Sequence, residues 1–279
     1  GTKVSALPIS PDKYYIDVNI PNVKNEKELK IFGTNEISEP TQVYVYVVGM
    51  RKIGEENDRE FYEPDPNNLS DAANWIKIEV DSALITPGQD TIVKWSITPT
   101  DQAGCGTNLA AIVVSPSKKD VNLKEGEAIV AFKKEVVSQV HVNVSRTSEG
   151  RCTEYMQTLD LLEFKVDSSS NIFFNIDVPF LTRIENKGNL IARSPKGFIE
   201  ISGFGPKESI SFNDDNLDIY PNSIRRFDNS WFDFNVSDKG NFFTDLLAEI
   251  RNMRIGQYEA KLGVTKNVNP QIISIAYFW

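Results

Sequence analysis

This chain is poor in the residues that catalysis and metal binding lean on. Its 279 residues include one histidine, His141, and two cysteines, Cys105 and Cys152. A Ser-His-Asp or Cys-His arrangement would have to use His141. In "VHVNV" that histidine alternates with Val140, Val142 and Val144, which places it on the polar, solvent-facing side of a strand. No nucleophile elbow or cysteine-protease signature lies near it. Zinc asks for several cysteine or histidine ligands, more than this chain supplies. "NDDNLD" (Asp214, Asp215, Asp218), Asp65 and Asp71 offer oxygens, but without the spacing of an EF-hand loop, and read as solvated loops. There is no glycine-rich phosphate cradle. The sequence therefore assigns no catalytic residue, no cofactor and no metal site.

Basic charge is also in deficit. Thirty Lys and Arg face 39 Asp and Glu, a net charge of −9. Phosphate recognition needs a basic surface, so nucleic acid and anionic lipid headgroups are excluded as partners. No apolar run approaches the roughly 18 residues of a membrane span, and no charged-then-apolar leader opens the sequence. The final "IISIAYFW" is apolar and aromatic. Membrane association is accordingly expected only through an anchor outside this chain.

What the sequence has in abundance is alternation. Ile76, Ile78 and Val80 alternate with Lys77 and Glu79. Phe174, Ile176, Val178 and Phe180 alternate with Asn175 and Asp177. Phe232, Phe234 and Val236 follow the same rule, as do Tyr258, Ala260, Leu262 and Val264 against Glu259 and Lys261. Such short, half-buried runs bounded by Gly, Pro, Asn and Asp are strands. Their number and spacing predict an all-β chain of two tandem immunoglobulin-like β-sandwiches with antiparallel sheets. Thr86–Gln89, Asn186–Asn189, Ser194–Gly197 and Tyr220–Ser223 are turns. Glu55 to Asn74 is polar and reads as a long loop. Arg146 to Thr158 is polar with Gly150 inside, and sets the expected domains at 1–150 and 151–279.

One stretch departs from the period of two. In "NFFTDLLAEIRNM", Phe243, Leu246, Leu247, Ile250 and Met253 recur at helical spacing, with Asp245 early and Arg251 late as the helix dipole favours. A short amphipathic helix is expected within the second sandwich. Its apolar face, with Phe243, Leu247 and Ile250, either caps the core or docks a partner. Tyr44 and Tyr46 share one face of "VYVYVV" and offer a second possible binding surface, for sugar stacking or for core packing.

The two cysteines can be placed from the strands. Cys105 precedes "NLAAIVV" and Cys152 follows "EVVSQVHVNVS". If those strands pair antiparallel around the loop near Lys118 to Glu127, both cysteines reach the same end of the first sandwich. A disulfide between Cys105 and Cys152 is predicted, and with it an extracytoplasmic location.

The patterns in "ANWIKIEVDSALITPGQDTIVKWSITPTDQAG", "NLAAIVVSPS", "FLTRIENKGNLIARSPKGFIEISGFG" and "DIYPNSIRRFDNSWFDF", closing on "GQYEAKLGV…AYFW", resemble the WxL-interacting surface proteins and related two-domain proteins of small-genome bacteria. The resemblance spans most of the chain. It implies a secreted, non-enzymatic, membrane-anchored surface protein with a peptidoglycan-binding domain and a host- or matrix-binding domain. Its partner would be a cell wall polymer or another surface protein. The loop at 55–74, the helix near 243–253 and the cysteine pair depart from that family's pattern. Two rivals remain. One is a periplasmic pilus-type chaperone, which docks its subunit by strand addition. The other is a carbohydrate-binding or carbohydrate-acting protein, which as a glycosidase would need two carboxylates about 5–9.5 Å apart.

Overall fold

The computed structural model describes residues 7–34, 39–56, 58–118, 128–129, 135–168, 178–203, 207–231, 257–265 and 272–279. The chain divides into two compact units, one of Gly1–Ile53 with Asp58–Met156 and one of Gly54–Asn57 with Gln157–Trp279. Each is a two-sheet sandwich of the immunoglobulin-like kind, and the all-β class expected from the alternation is what the structure shows.

The first unit holds β1 (Ile9–Ser10), β2 (Lys13–Val18), β3 (Asn25–Ile31), β4 (Thr41–Lys52), β5 (Arg59–Tyr62), β6 (Ile76–Ile78), β7 (Ser82–Ile85), β8 (Thr91–Ile97), β9 (Gly106–Ser115), β10 (Ala128–Ile129) and β11 (Val136–Val144). The short hairpin of β12 (Arg146–Thr147) and β13 (Gly150–Arg151) follows. One sheet runs β1-β3-β8-β6 and the other β10-β5-β4-β9-β11-β2, with β7 beside β4. Period-2 patterning fills the space between them. Leu29 and Ile31 of β3 and Val93, Trp95 and Ile97 of β8 meet Val43 and Val45 of β4, Ile112 of β9 and Val140, Val142 and Val144 of β11. Tyr14 packs edge-on against Trp95 at 4.9 Å between ring centroids, while its hydroxyl donates to the Glu28 carbonyl at 2.6 Å. That satisfies the polar tip of a ring otherwise spent on the core.

Three expectations are corrected here. Glu55 to Asn74 is not one long loop. It contains β5, and a 3₁₀ turn at Ala72–Trp75 follows it. Asp71 caps that turn by accepting from the Ala73 N–H at 3.0 Å, and the turn buries Trp75, whose indole N–H donates to the Leu69 carbonyl. Next, β11 and β2 pair in parallel, so the sheets are not wholly antiparallel. The chain crosses from one sheet to the other between β1 and β2, through the cis peptide Ser10–Pro11. Finally, His141 does not face solvent. It is fully buried, edge-on against Tyr15 at 4.9 Å. The reason is that this sheet is covered on both faces: Val48, Met50, Ala111 and Val113, which alternate with the inter-sheet core residues, are buried too. Alternation alone cannot reveal a second buried face.

Close packing in this sheet has one glycine at its centre. Gly49 of β4 pairs with Tyr62 of β5, and a Cβ built on Gly49 would run into the Tyr62 ring. Tyr62 is fixed from the other end, because its hydroxyl donates to Asp71 Oδ2 at 3.0 Å; burial, with Asp71 adding to it, pushes the phenol up to about 12. We expect Gly49→Ala to destabilise the first unit by about 1–3 kcal/mol through overpacking, read as a lower urea midpoint at unchanged slope. A neutral result would show that the ring can swing away.

The second unit contains β14 (Leu159–Val166), β15 (Val178–Asn186), β16 (Lys196–Ser202), β17 (Glu208–Phe212), β18 (Ser223–Trp231), β19 (Tyr258–Thr265) and β20 (Ile272–Phe278). Its sheets run β14-β15-β18 and β17-β16-β19-β20. Phe180, Ile184, Phe227 and Trp231 from the first face Ile199, Ile201, Tyr258, Leu262 and Phe278 from the second. The turns read at Asn186–Asn189 and Ser194–Gly197 fall where β15 ends and β16 begins. The expected helix, with Phe243, Leu247 and Ile250, lies outside the described residues. Among the described residues no helix is long and apolar enough to cross a membrane.

Candidate binding edge

The strand that begins with Val136 has one uncovered edge, and local sequence explains why. β11 pairs with β9 along its whole length, Val136 with Val114 through Val144 with Gly106. On its other side β2 covers it only from Gln139 to Val144. The Gln139 N–H donates to the Asp12 carbonyl at 2.8 Å, and the Ser138 hydroxyl closes onto the Pro11 carbonyl at 2.7 Å. Beyond that point the chain leaves for β1 of the other sheet, where Ser10 pairs with Lys30, so the ladder stops. Because backbone groups alternate sides along a strand, the N–H and C=O of Val137 point to the same side as those of Gln139. Among the described residues no strand pairs with β11 on that side at Val137.

The side chains around this edge form a row across the sheet. Tyr46 of β4 pairs with Val113 of β9, and Val113 pairs with Val137 of β11. Val136 and Val137 are half-buried, as are Tyr44 and Tyr46. The Tyr46 hydroxyl donates to Glu135 Oε1 at 2.9 Å and so pins the residue that leads into β11. Burial, and then that neighbouring carboxylate, raise the Tyr46 phenol well above its ordinary value. The Lys118 ammonium stands 5.6 Å from the Tyr44 ring centre, within cation–π reach. This arrangement can take up an extended segment. Main-chain bonds at Val137 would supply affinity, and the apolar Val136 and Val137 would supply contact.

Of the residues singled out from sequence, Tyr44 and Tyr46 lie on the face of this edge, though half covered. Cys105 and Cys152 are bonded to each other, with Cα atoms 5.8 Å apart. Phe243, Leu247 and Ile250 lie outside the described residues. Among those residues no group of three or more His, Cys, Asp or Glu is placed to hold a metal ion. Val136 to Ser138 were missed by the sequence reading. No local signal marks them, because their cover ends where Ser10 joins the other sheet opposite Lys30.

No protein-family model and no curated protein matches this sequence. Among solved structures, the class 5 fimbriae chaperone CfaA is 9% identical over 97% of this chain and 98% of its own, with a TM-score of 0.42. The Pseudomonas aeruginosa CupB2 chaperone is 7% identical over 96% and 98%, with a TM-score of 0.40. A chain of the CsuC–CsuE chaperone–tip subunit pre-assembly complex of Acinetobacter baumannii is 13% identical over 80% and 90%, also at 0.40. The expected resemblance to WxL-interacting surface proteins is corrected by these comparisons, in which the similar solved structures are for the most part fimbrial chaperones.

Proposed function

We propose that this is a non-enzymatic, extracytoplasmic binding protein that lends the free edge of β11 to an extended strand of a partner protein, in the manner of a periplasmic pilus-type chaperone. The observation that carries the reading is the uncovered backbone at Val137, next to a segment where β2 has ended. Strand addition needs such an edge, and a half-buried apolar pair beside it to reward docking. The Cys105–Cys152 disulfide supports an oxidising compartment. The partner is a protein with an unpaired sheet edge of its own, such as a pilus subunit.

The test uses a ten-residue peptide of alternating valine and threonine as the strand probe. Amide exchange of Val137 is followed with and without it. Protection of that amide, and loss of peptide binding in Val137→Pro with no change in melting temperature, is the expected outcome. Proline removes the one donor the edge offers. Equal binding by wild type and Val137→Pro, or binding without protection at Val137, would sink the reading.

A further inference from the structure

The leading end of β11 is held by a ladder on one side only. Pairing with β9 begins at Val136, opposite Val114, whereas β2 joins on the other side first at Gln139. Among the described residues Val136 and Val137 therefore have β9 as their one ladder partner, and a strand end paired on one side opens more readily than a strand centre. Glu135 lies just outside that ladder, and its side chain is tied down across β9. Tyr46 of β4 stands two strands away, a span of about 9.5 Å at ordinary strand spacing. It shares its row with Val113 and Val137, and its hydroxyl donates to Glu135 Oε1 at 2.9 Å. Ser115, the last residue of β9 and 1% exposed, brings its hydroxyl to the same phenol. Burial, and then the Glu135 carboxylate, raise this phenol, so it remains a donor at any pH near neutral. The strand order β4-β9-β11-β2 puts β4 across β9 from the uncovered edge. The carboxylate is thus drawn away from the place that an added strand would take.

We infer that Tyr46 is a positioning residue for strand addition: by holding Glu135 it keeps Val136 and Val137 extended on β9, in the form that a partner strand can pair with. This rests on the reading of β11 as the docking edge. Tyr46 itself need not touch the partner. It acts through the leading end of β11, because the apparent affinity for a strand that is ordered only part of the time falls by the ordered fraction. A hydrogen bond to a carboxylate is among the stronger ones. Here both residues are half-buried, so water weakens it. Its loss should therefore lower partner affinity by about 5- to 10-fold, the lower end for a bond to a charged group. Stability of the whole unit is a separate matter, since the end of a strand opens without unfolding the sandwich.

The full chain is titrated with the alternating valine and threonine peptide, and amide exchange of Val136 is read in the free protein. The Val136 N–H points to β9, opposite in sense to that of Val137, so its exchange reports opening of the strand end. Tyr46→Phe keeps the ring and removes the donor. Glu135→Ala removes the acceptor, and Glu135→Gln keeps an acceptor oxygen. Tyr46→Phe and Glu135→Ala are each expected to speed Val136 exchange and to weaken peptide binding by about 5- to 10-fold. The double variant should be no weaker than either single one, because both remove the same bond. Glu135→Gln should bind within about 2-fold of the wild type, since the phenol still finds its acceptor. Peptide binding and Val136 exchange that Tyr46→Phe leaves unchanged would overturn the inference while the docking edge stands. So would losses that add in the double variant, or a Glu135→Gln variant as weak as Glu135→Ala. A wild type that binds no peptide overturns the docking edge and the inference with it.

Discussion

Reduction of the Cys105–Cys152 bond, or its replacement by Cys105→Ser with Cys152→Ser, is expected to cost the first unit about 4 kcal/mol. The bond closes a loop with a sequence separation of 47 residues, and the chain-entropy model assigns a loop of that length about 4 kcal/mol. In thermal melts this amounts to a drop of about 10 °C for a unit of this size. The local structure makes the bond inevitable once the ladder forms. Gly106 pairs with Val144, so Cys105 lies at the end of β9 beside the end of β11. The β12–β13 hairpin then turns the chain back, and the Cys152 N–H donates to the Ser145 carbonyl at 3.0 Å. Cys105 is exposed and Cys152 half-buried, so a thiol reductant should reach the bond without denaturant. Two free thiols per chain under denaturing, non-reducing conditions would refute the bond outright. A shift below about 1 kcal/mol would show that the unfolded chain is already constrained.

The way this disulfide was anticipated shows what a sequence of this type makes legible. Strand alternation gave the positions of β9 and β11, and a hairpin between them fixed which ends meet. The same rule failed at His141, because alternation reports one polar and one apolar face only when one face is wet. In the sheet β10-β5-β4-β9-β11-β2, Ala111, Val113 and Val48 are buried opposite the inter-sheet core, and His141 and Asn143 go under with them. Asn143 is satisfied there by donating to Asp17 Oδ1 and accepting from the Thr107 hydroxyl. A polar residue on a strand is therefore a statement about hydrogen bonding before it is one about exposure.

The candidate edge was illegible for a different reason. Whether a strand has a neighbour depends on a segment more than a hundred residues away, since β2 covers part of β11 and leaves the rest. Nothing within "EVVSQVHVNVS" encodes where that cover ends. The cover ends because Ser10 pairs with Lys30 in the other sheet, and that crossing is legible only in the fold. The short β5 was hidden likewise. Its four residues sit in a polar stretch, and they are held by the packing of Tyr62 over Gly49 and by the Arg51–Glu60 ion pair rather than by any apolar run.

Arg225→Ala is expected to cost the second unit about 3–5 kcal/mol, which rivals the loss of a large core side chain. Arg225 is 1% exposed and points to the core side of β18, in phase with Phe227 and opposite Ile184. Its Nε and Nη2 both donate to the Asp218 carbonyl, at 3.0 and 2.9 Å. Asp218 is buried in turn, and its carboxylate accepts from the Ser194 N–H at 3.0 Å and from the Ser194 hydroxyl at 3.3 Å. Ile219 then bridges to Ala192 in both directions at 2.9 Å, and Asn186 donates to the Ile219 carbonyl at 3.1 Å. One guanidinium thus anchors the segment that joins the two sheets of this sandwich at Leu217–Tyr220. Removing it leaves a buried carbonyl without its two charge-assisted bonds and a cavity the length of an arginine stem. Arg226 is the internal control. Its partner Asp228 is 64% exposed at the side chain, so Asp228→Ala should change stability by less than about 1 kcal/mol. Urea unfolding of both variants, with reductant added to shift the first unit's transition separately, reads the effect on the second. A loss below about 1 kcal/mol for Arg225→Ala would mean that water replaces the guanidinium and that the anchor lies instead in Asn186.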